Sequence, residues 1–413
     1  MNNSYPYVKL KELCDVNQGL QIPIEERFTE NAPNRYFYIT VQFLKTSHTN
    51  KFYVENPPSS SICNEDDILI VRTGSTGQIV TGVSGCFHNN FFKVNFNKEL
   101  IHGRYLYHCL NTKEKYRDML RRAGVTTIPD LNHFMFLDME IPLPKKNNQI
   151  EIAKTLDCLD SKIELNNRIN AELEAMAKTL YDYWFVQFDF PVPKDGRTLS
   201  GVEGYKTSGG KMVWNDELKR EVPDGWEVGT LLNIADYING LPCQKFRPTG
   251  DEFLRVIKIR EMNEGFSVNS EFVSPDIPEK AIIENGDVLF SWSASLDVKI
   301  WTGGKGALNQ HIFKVTSDKY PKSFYFYQLL NYLQHFKMMA ENRKTTMGHI
   351  TQEHLQQSRI AIPTEKLTLE LEKIIAPIFK QKMVNEIQNQ TLSTLRDWLL
   401  PMLMNGQVTI HTD

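Results

Sequence analysis

The chain repeats itself. Asp67-Ile68-Leu69-Ile70 recurs as Asp287-Val288-Leu289-Phe290, Phe92-Lys93-Val94 as Phe313-Lys314-Val315, and Thr126-Thr127 as Thr345-Thr346, each about 220 residues later. Ile141-Pro142 returns as Ile362-Pro363, and Gly19 near the first start matches Gly240 near the second. A period this long marks a duplicated domain, not a solenoid, whose units run ~20–50 residues. Whatever one half folds into, the other must resemble.

Both copies have the same internal order. Short β-branched and aromatic runs come first (36–43, 67–72, 91–96), punctuated by turns such as Gly74-Ser75-Thr76-Gly77, and predict strands. A helical stretch follows over 103–120, matched by 322–340, and Ile-Pro ends the compact part. Residues 149–184 then carry Ile152, Leu156, Leu159, Ile163, Asn166, Asn170, Leu173, Ala177 and Leu180 at alternating steps of four and three, a heptad seam containing two asparagines. One helix of ~35 residues would span ~50 Å. Its natural partner is its own repeat copy from about residue 367, with Ile374, Ile378, Leu392, Leu395 and Leu399 as the stripe. Pro377 should kink that helix or mark its start. Residues 191–227, dense in Pro and Gly, read as a linker.

The expected architecture is α+β: two similar domains of mixed strands and helices, joined by two long antiparallel coiled-coil helices in a pseudo-twofold arrangement. The expected divisions are 1–145, a central spacer helix 146–190, the linker 191–227, a second domain 228–364, and a C-terminal spacer helix 365–413.

Composition narrows the function. Apolar residues at 41% exclude wholesale disorder, and the net charge of −3 argues against a polybasic nucleic-acid wrapper. The six cysteines form no CxxC pair, so neither a zinc finger nor a disulfide framework is expected, and a reducing cytosol fits. The N-terminus does not read as a signal peptide, and no apolar run is long enough to span a membrane. GxGxxG, P-loop, HExxH and GxSxG motifs are all missing, so no catalytic constellation can be assembled, and no metal ligands are expected. Asn56-Pro57-Pro58-Ser59 resembles an amino-methyltransferase motif, but Ser59 stands where the base-stacking aromatic is needed, so it reads as a turn.

Charge is uneven along the chain. Residues 101–124 carry Arg104, Lys113, Lys115, Arg117, Arg121 and Arg122 against Glu114 and Asp118, whereas the long helix is acidic. Phosphates call for Lys/Arg clusters, and base edges for Arg and amide or hydroxyl side chains on shaped loops. Three loop pairs supply both. The first is Arg72, Thr73, Ser75, Thr76 and Gln78, matched by Trp292, Ser293 and Ser295. The second is Asn89 and Asn90, matched by Asn309, Gln310 and His311. The third is Arg121, Arg122, Thr126 and Thr127, matched by Arg343, Lys344, Thr345, Thr346 and His349. Lys93 and Lys305 complete the candidate DNA-binding set. An ordinary turn or a solvated helix end would account for each loop taken singly.

Taken together these features resemble the DNA-specificity subunit of type I restriction–modification enzymes. Gly286-Asp287-Val288-Leu289-Phe290 is similar to that family's strand entry, with Asp66 in place of the glycine in the first copy. Thr345-Thr346-Met347-Gly348-His349-Ile350 resembles its Thr-Thr element, and Leu395-Arg396-Asp397-Trp398-Leu399-Leu400-Pro401 its C-terminal ending. The resemblance implies two target-recognition domains on double-stranded DNA, each reading half of a bipartite site across a gap set by the helices. It implies a non-catalytic chain that bridges two methyltransferase subunits and, in a complete complex, two restriction subunits. S-adenosylmethionine, ATP and magnesium would then sit on those partners. A coiled-coil scaffold without a DNA role, or a self-sufficient DNA-modifying enzyme, are the rival readings.

Overall fold

The computed structural model describes residues 5–45, 51–124, 129–191, 205–206, 211–342 and 349–408. The chain divides into two compact units, one of Met1–Ile163 with Thr391–Asp413, the other Glu164–Gln390.

In the first unit a four-stranded antiparallel sheet runs in the order Cys14–Gln18, Phe91–Phe96, Ile68–Val71, Ile79–Val80. A second sheet orders Tyr53–Glu55, Arg35–Ile39, Gly85–Phe87, Ile62–Cys63, its middle pair parallel. Tyr7–Lys9 pairs with Glu140–Pro142, so the Ile-Pro element closes the unit against its own start.

The second unit repeats the plan. Asp236–Asn239, Ile312–Thr316, Val288–Ser291 and Asp297–Ile300 form one sheet, and Phe272–Val273, Leu254–Ile257, Gly306–Leu308 and Ile282–Ile283 the other. Glu227–Thr230 pairs with Arg359–Ile362.

The pivotal strands Ile68–Val71 and Val288–Ser291 are apolar except at Ser291, whose buried hydroxyl donates to the Ser295 carbonyl. Side chains alternate faces along a strand, so a strand covered on both sides favours apolar residues at successive positions. Ile68 and Ile70 enter the main core with Phe92, Tyr105 and Phe136, whereas Leu69 and Val71 enter a smaller core with Phe87 and Phe91. Val288 and Phe290 likewise face one core and Leu289 another. Burying each such side chain contributes about 1.5–3 kcal/mol.

A mirrored lysine straps the two sheets of each unit together. Lys93 donates to the Ile62 carbonyl at 2.8 Å beside Asp67, and Lys314 donates to the Ile282 carbonyl at 3.1 Å beside Asp287. Asp67 and Asp287 each also accept a backbone N–H three residues upstream at 2.9 Å.

Two helices and the linker depart from expectation. The stretch 103–120 is two helices, Gly103–Leu110 and Lys113–Ala123, because the Thr112 hydroxyl caps a new helix by accepting from the Lys115 N–H at 3.1 Å. Its counterpart Lys322–Asn342 is one helix. The last helix, Glu365–Met404, runs through Pro377, which therefore does not mark its start; apolar packing on both sides, at Leu371, Ile375, Ile378 and Phe379, offsets the lost backbone bond. Part of the expected linker is a hairpin, Met212–Asn215 with Arg220–Pro223.

The first long helix, Lys146–Tyr181, ends in one wide π turn, Asp182–Val186. Along it Ile152, Leu156, Asn166, Asn170 and Ala177 are buried and Leu159, Ile163, Leu173 and Leu180 half-buried. On the last helix Ile374 and Leu395 are not seam residues, being 44% and 39% exposed. Leu371, Ile375, Ile378, Lys382, Asn385, Asn389, Leu392, Arg396, Leu399 and Leu403 keep an unbroken four–three step instead, all of them buried or half-buried. Several of these are polar, which is why an apolar stripe misplaces two positions.

Candidate nucleic-acid interface

In each unit the first two loop groups and the segment that follows the third, at Leu131 and Ile350, meet at one hub held by backbone hydrogen bonds. Gly19 makes the first approach: its N–H donates to the Phe91 carbonyl at 3.1 Å and that of Leu20 to Phe87 at 3.0 Å. A Cβ on Gly19 would lie 2.2 Å from the Phe87 carbonyl oxygen, so glycine is required. Gly240 repeats this, donating to Ile312 at 3.2 Å, with a Cβ there 2.2 Å from the Asn309 oxygen.

The loop after the pivotal strand joins next. The Arg72 N–H donates to the Asn90 carbonyl at 2.8 Å, and the Arg72 carbonyl accepts from Leu131 at 2.9 Å. Its twin Trp292 donates to the His311 carbonyl at 3.3 Å and accepts from Ile350 at 2.9 Å. Segments distant in sequence (72, 90, 131 and 292, 311, 350) are thus fixed to one another by the same bonds in both units.

Side chains at the hub diverge. In the first unit Arg72 donates through Nε and Nη2 to both oxygens of Asp130, at 2.9 and 2.7 Å. That fork holds the Asp130 carboxyl below the ordinary carboxylate range and pushes the guanidinium up. The matched position in the second unit is Trp292, whose ring lies 5.7 Å from His311 and 5.6 Å from His349 and whose Nε1 donates to Asn239 at 3.3 Å.

Other candidates divide into surface and support. Ser75 and Asn90 are partly exposed and Gln78, Ser295 and Lys305 exposed. Asn89 donates to Gln21 at 3.0 Å, and Gln310 lies 3.4 Å from the His311 ring nitrogen. Thr73 bridges to Asp130 along the backbone. Thr76, Ser293 and Asn309 are buried, 5%, 4% and 6% exposed, and Thr76 serves its own loop by donating to the Pro129 carbonyl at 2.7 Å. Lys93 is the strap between sheets. His88, beside Asn89, is held below its ordinary pKa by burial and by the nearby Arg27 charge.

The helix Lys113–Ala123 backs this loop, since a Cβ on Gly77 would meet the Tyr116 ring at 3.2 Å. Arg121 and Arg122 close it. Arg121 is 79% exposed and, among the described residues, pairs only along its own helix with Asp118, whereas Arg122 also reaches the Met135 carbonyl and Asp138 at 3.4 Å. Thr126, Thr127, Arg343, Lys344, Thr345 and Thr346 lie outside the described residues. Asp130 and Asn239 are hub residues that the sequence reading omits. Asp130 follows Thr126-Thr127 closely in sequence, so its position was a usable signal, whereas nothing local singles out Asn239.

Asn56 takes a left-handed turn (φ 48) before the 3₁₀ turn Ser59–Ser61, as a plain turn requires.

Comparison with known proteins agrees with this duplication. The family model for the type I restriction modification DNA specificity domain matches twice, over residues 2–175 and 223–396. The type I restriction enzyme MjaIX specificity subunit of Methanocaldococcus jannaschii is 25% identical over 99% of this chain and 90% of its own. The HindI specificity subunit of Haemophilus influenzae is 24% identical over 77% and 80%. The crystal structure of the type I restriction-modification S subunit from M. genitalium superposes with a TM-score of 0.59 at 15% identity, covering 98% of this chain and 97% of that one, and shares the fold. Since two copies of the domain account for most of the sequence and each builds the same hub, the chain belongs to the DNA-specificity subunits of type I restriction–modification systems.

Proposed function

We propose that each unit reads one half of a bipartite double-stranded DNA target and that the helices Lys146–Tyr181 and Glu365–Met404 set the unread gap. The carrying observation is the duplicated hub, where three separated segments share one backbone frame but carry different side chains. A fixed frame with variable side chains is what reading two different base sequences demands. Arg121 supplies a phosphate-facing charge beside the first hub.

On this reading the chain is not itself an enzyme. It binds two methyltransferase subunits, which carry S-adenosylmethionine, and in a complete complex two restriction subunits, which carry ATP and magnesium. The working place is the cytoplasm, where the chromosome lies; among the described residues no helix is long and apolar enough to cross a membrane.

The test is methylome sequencing of cells expressing this chain with its methyltransferase partner. A bipartite methylated motif with a constant gap is expected. Methylation by the chain alone, or salt-insensitive association with DNA in the partner's presence, would overturn the reading.

A further inference from the structure

The geometry points to Arg72 as the reader of a guanine in the half-site bound by the first unit, with Asp130 as its positioning residue. The inference rests on the function proposed above and adds to it a base, a residue and an asymmetry between the halves.

A guanidinium has five N–H donors in a rigid fork. Asp130 engages the Nε–Nη2 side. The end-on edge, one hydrogen each on Nη1 and Nη2, is left, and among the described residues no partner for Nη1 is recorded. That edge is the one which donates in parallel to O6 and N7 of guanine in the major groove. An arginine without a partner sweeps through many rotamers and would lose that entropy on binding, about 1.5–2 kcal/mol for a fully immobilised side chain. Here the carboxylate has already fixed it. Asp130 is itself held, because the backbone of Thr73 bridges to it and the Leu131 N–H bonds the Arg72 carbonyl.

The surroundings favour a base over a phosphate. Arg72 lines a small concavity with Val16, Gln18, Phe92 and His133, a shaped and partly apolar recess on the hub. Its charge is largely answered by Asp130, which weakens attraction to the backbone while sparing the directional donors. The second unit has Trp292 at this position, backed by His311 and His349. An indole offers a single N–H, here given to Asn239, and cannot make the two-donor contact. The two half-sites therefore differ at the position each hub places here.

The experiment uses the complex of the full chain with its methyltransferase partner and the bipartite target mapped by methylome sequencing. Arg72→Lys keeps the charge and an ion pair to Asp130 but lacks the fork. It is expected to relax preference at one position of one half-site, a guanine in the parent target, by about 5- to 100-fold, with the salt slope unchanged. Replacing that guanine by 7-deazaguanine, which lacks the N7 acceptor, should weaken the parent complex and leave the Arg72→Lys complex unaffected. Asp130→Asn should relax the same position and Asp130→Glu partly restore it, an outcome that a merely structural carboxylate would not give. The inference fails if the relaxed position is not a guanine, if 7-deazaguanine weakens parent and variant equally, or if Arg72→Lys lowers affinity uniformly over all sequences. If the parent complex methylates no bipartite motif at all, the underlying function fails instead, so the two failures are distinguishable.

Discussion

The side-chain amide of Asn385 donates to the side-chain oxygen of Asn170 at 2.8 Å, with both residues buried between antiparallel helices of the second unit. The bond belongs to a polar ladder in which Asn166 meets Asn389 at 2.8 Å and Lys382 meets Glu174 at 2.7 Å. Buried asparagines cost stability and select register, because only one alignment pairs them. Asn385→Ala leaves the Asn170 oxygen unpaired and should cost about 1–3 kcal/mol. The double change Asn170→Leu with Asn385→Leu should raise Tm yet admit more than one gap length in the methylated motif. Calorimetry and methylome sequencing read the two effects; a stabler chain with one unchanged gap would show that the ladder does not set register.

Gly19 and Gly240 make a paired experiment. A methyl at either would press within 2.2 Å of a carbonyl oxygen, Phe87 in one unit and Asn309 in the other, where backbone must move. Gly19→Ala should cost about 1–3 kcal/mol and impair reading of the first half-site, and Gly240→Ala the second. Binding to duplexes altered in one half at a time is the measurement. Equal damage to both halves from either change would refute the one-hub-per-half assignment.

The two neighbouring arginines should part company. Arg121 projects into solvent, whereas Arg122 is shared among Asp118, Asp138 and the Met135 carbonyl. Arg121→Ala is expected to reduce the slope of log affinity against log salt by about one, with sequence preference intact. Arg122→Ala should instead lower stability. Nothing in the local sequence separates the two, because only the fold decides which arginine Asp138 will reach.

The duplicated fold was legible because strand, turn and Ile-Pro anchors recur in order, and the first helix's seam because its four–three step is mostly apolar. The second seam was misread at Ile374 and Leu395, since Lys382, Asn385, Asn389 and Arg396 occupy seam positions while apolar side chains face solvent. Loop positions were legible too, yet side-chain roles were not. Thr76, Ser293 and Asn309 look like base readers in sequence, yet the fold buries all three, and Asp130 matters only once the fold places it against Arg72.

Acid should weaken the first unit through His108. Its imidazole is buried against Asp157 at 2.7 Å; burial holds its pKa below the ordinary 6.5, and the carboxylate opposes this only in part. As pH falls through 6.5 the unfolded chain takes up a proton that the folded chain does not, so stability declines. Burial pushes Asp157 up, but hydrogen bonds from Arg104 and His108 outweigh it and hold the carboxyl below 3.8, so its contribution is intact above that value and lost only under stronger acid. Tm should therefore drop between about pH 7.5 and about pH 5.5, and His108→Gln should flatten the decline. An equal decline in the variant would place the proton uptake elsewhere.

The spacer prediction needs both helices. Asn166 faces Gln388 and Asn389, so seven residues inserted after Asn166 alone would slip the ladder out of pairing. A matched insertion of seven more between Gln388 and Asn389 keeps every seam position facing its partner. The pair of insertions adds about 10 Å of helix. At ~3.4 Å per base pair, the unread gap should grow by about three base pairs while both half-sites stay the same. The single insertion should lower stability instead. Methylome sequencing with the two variants decides: an unchanged gap after the matched insertion would mean that something other than these helices measures the DNA.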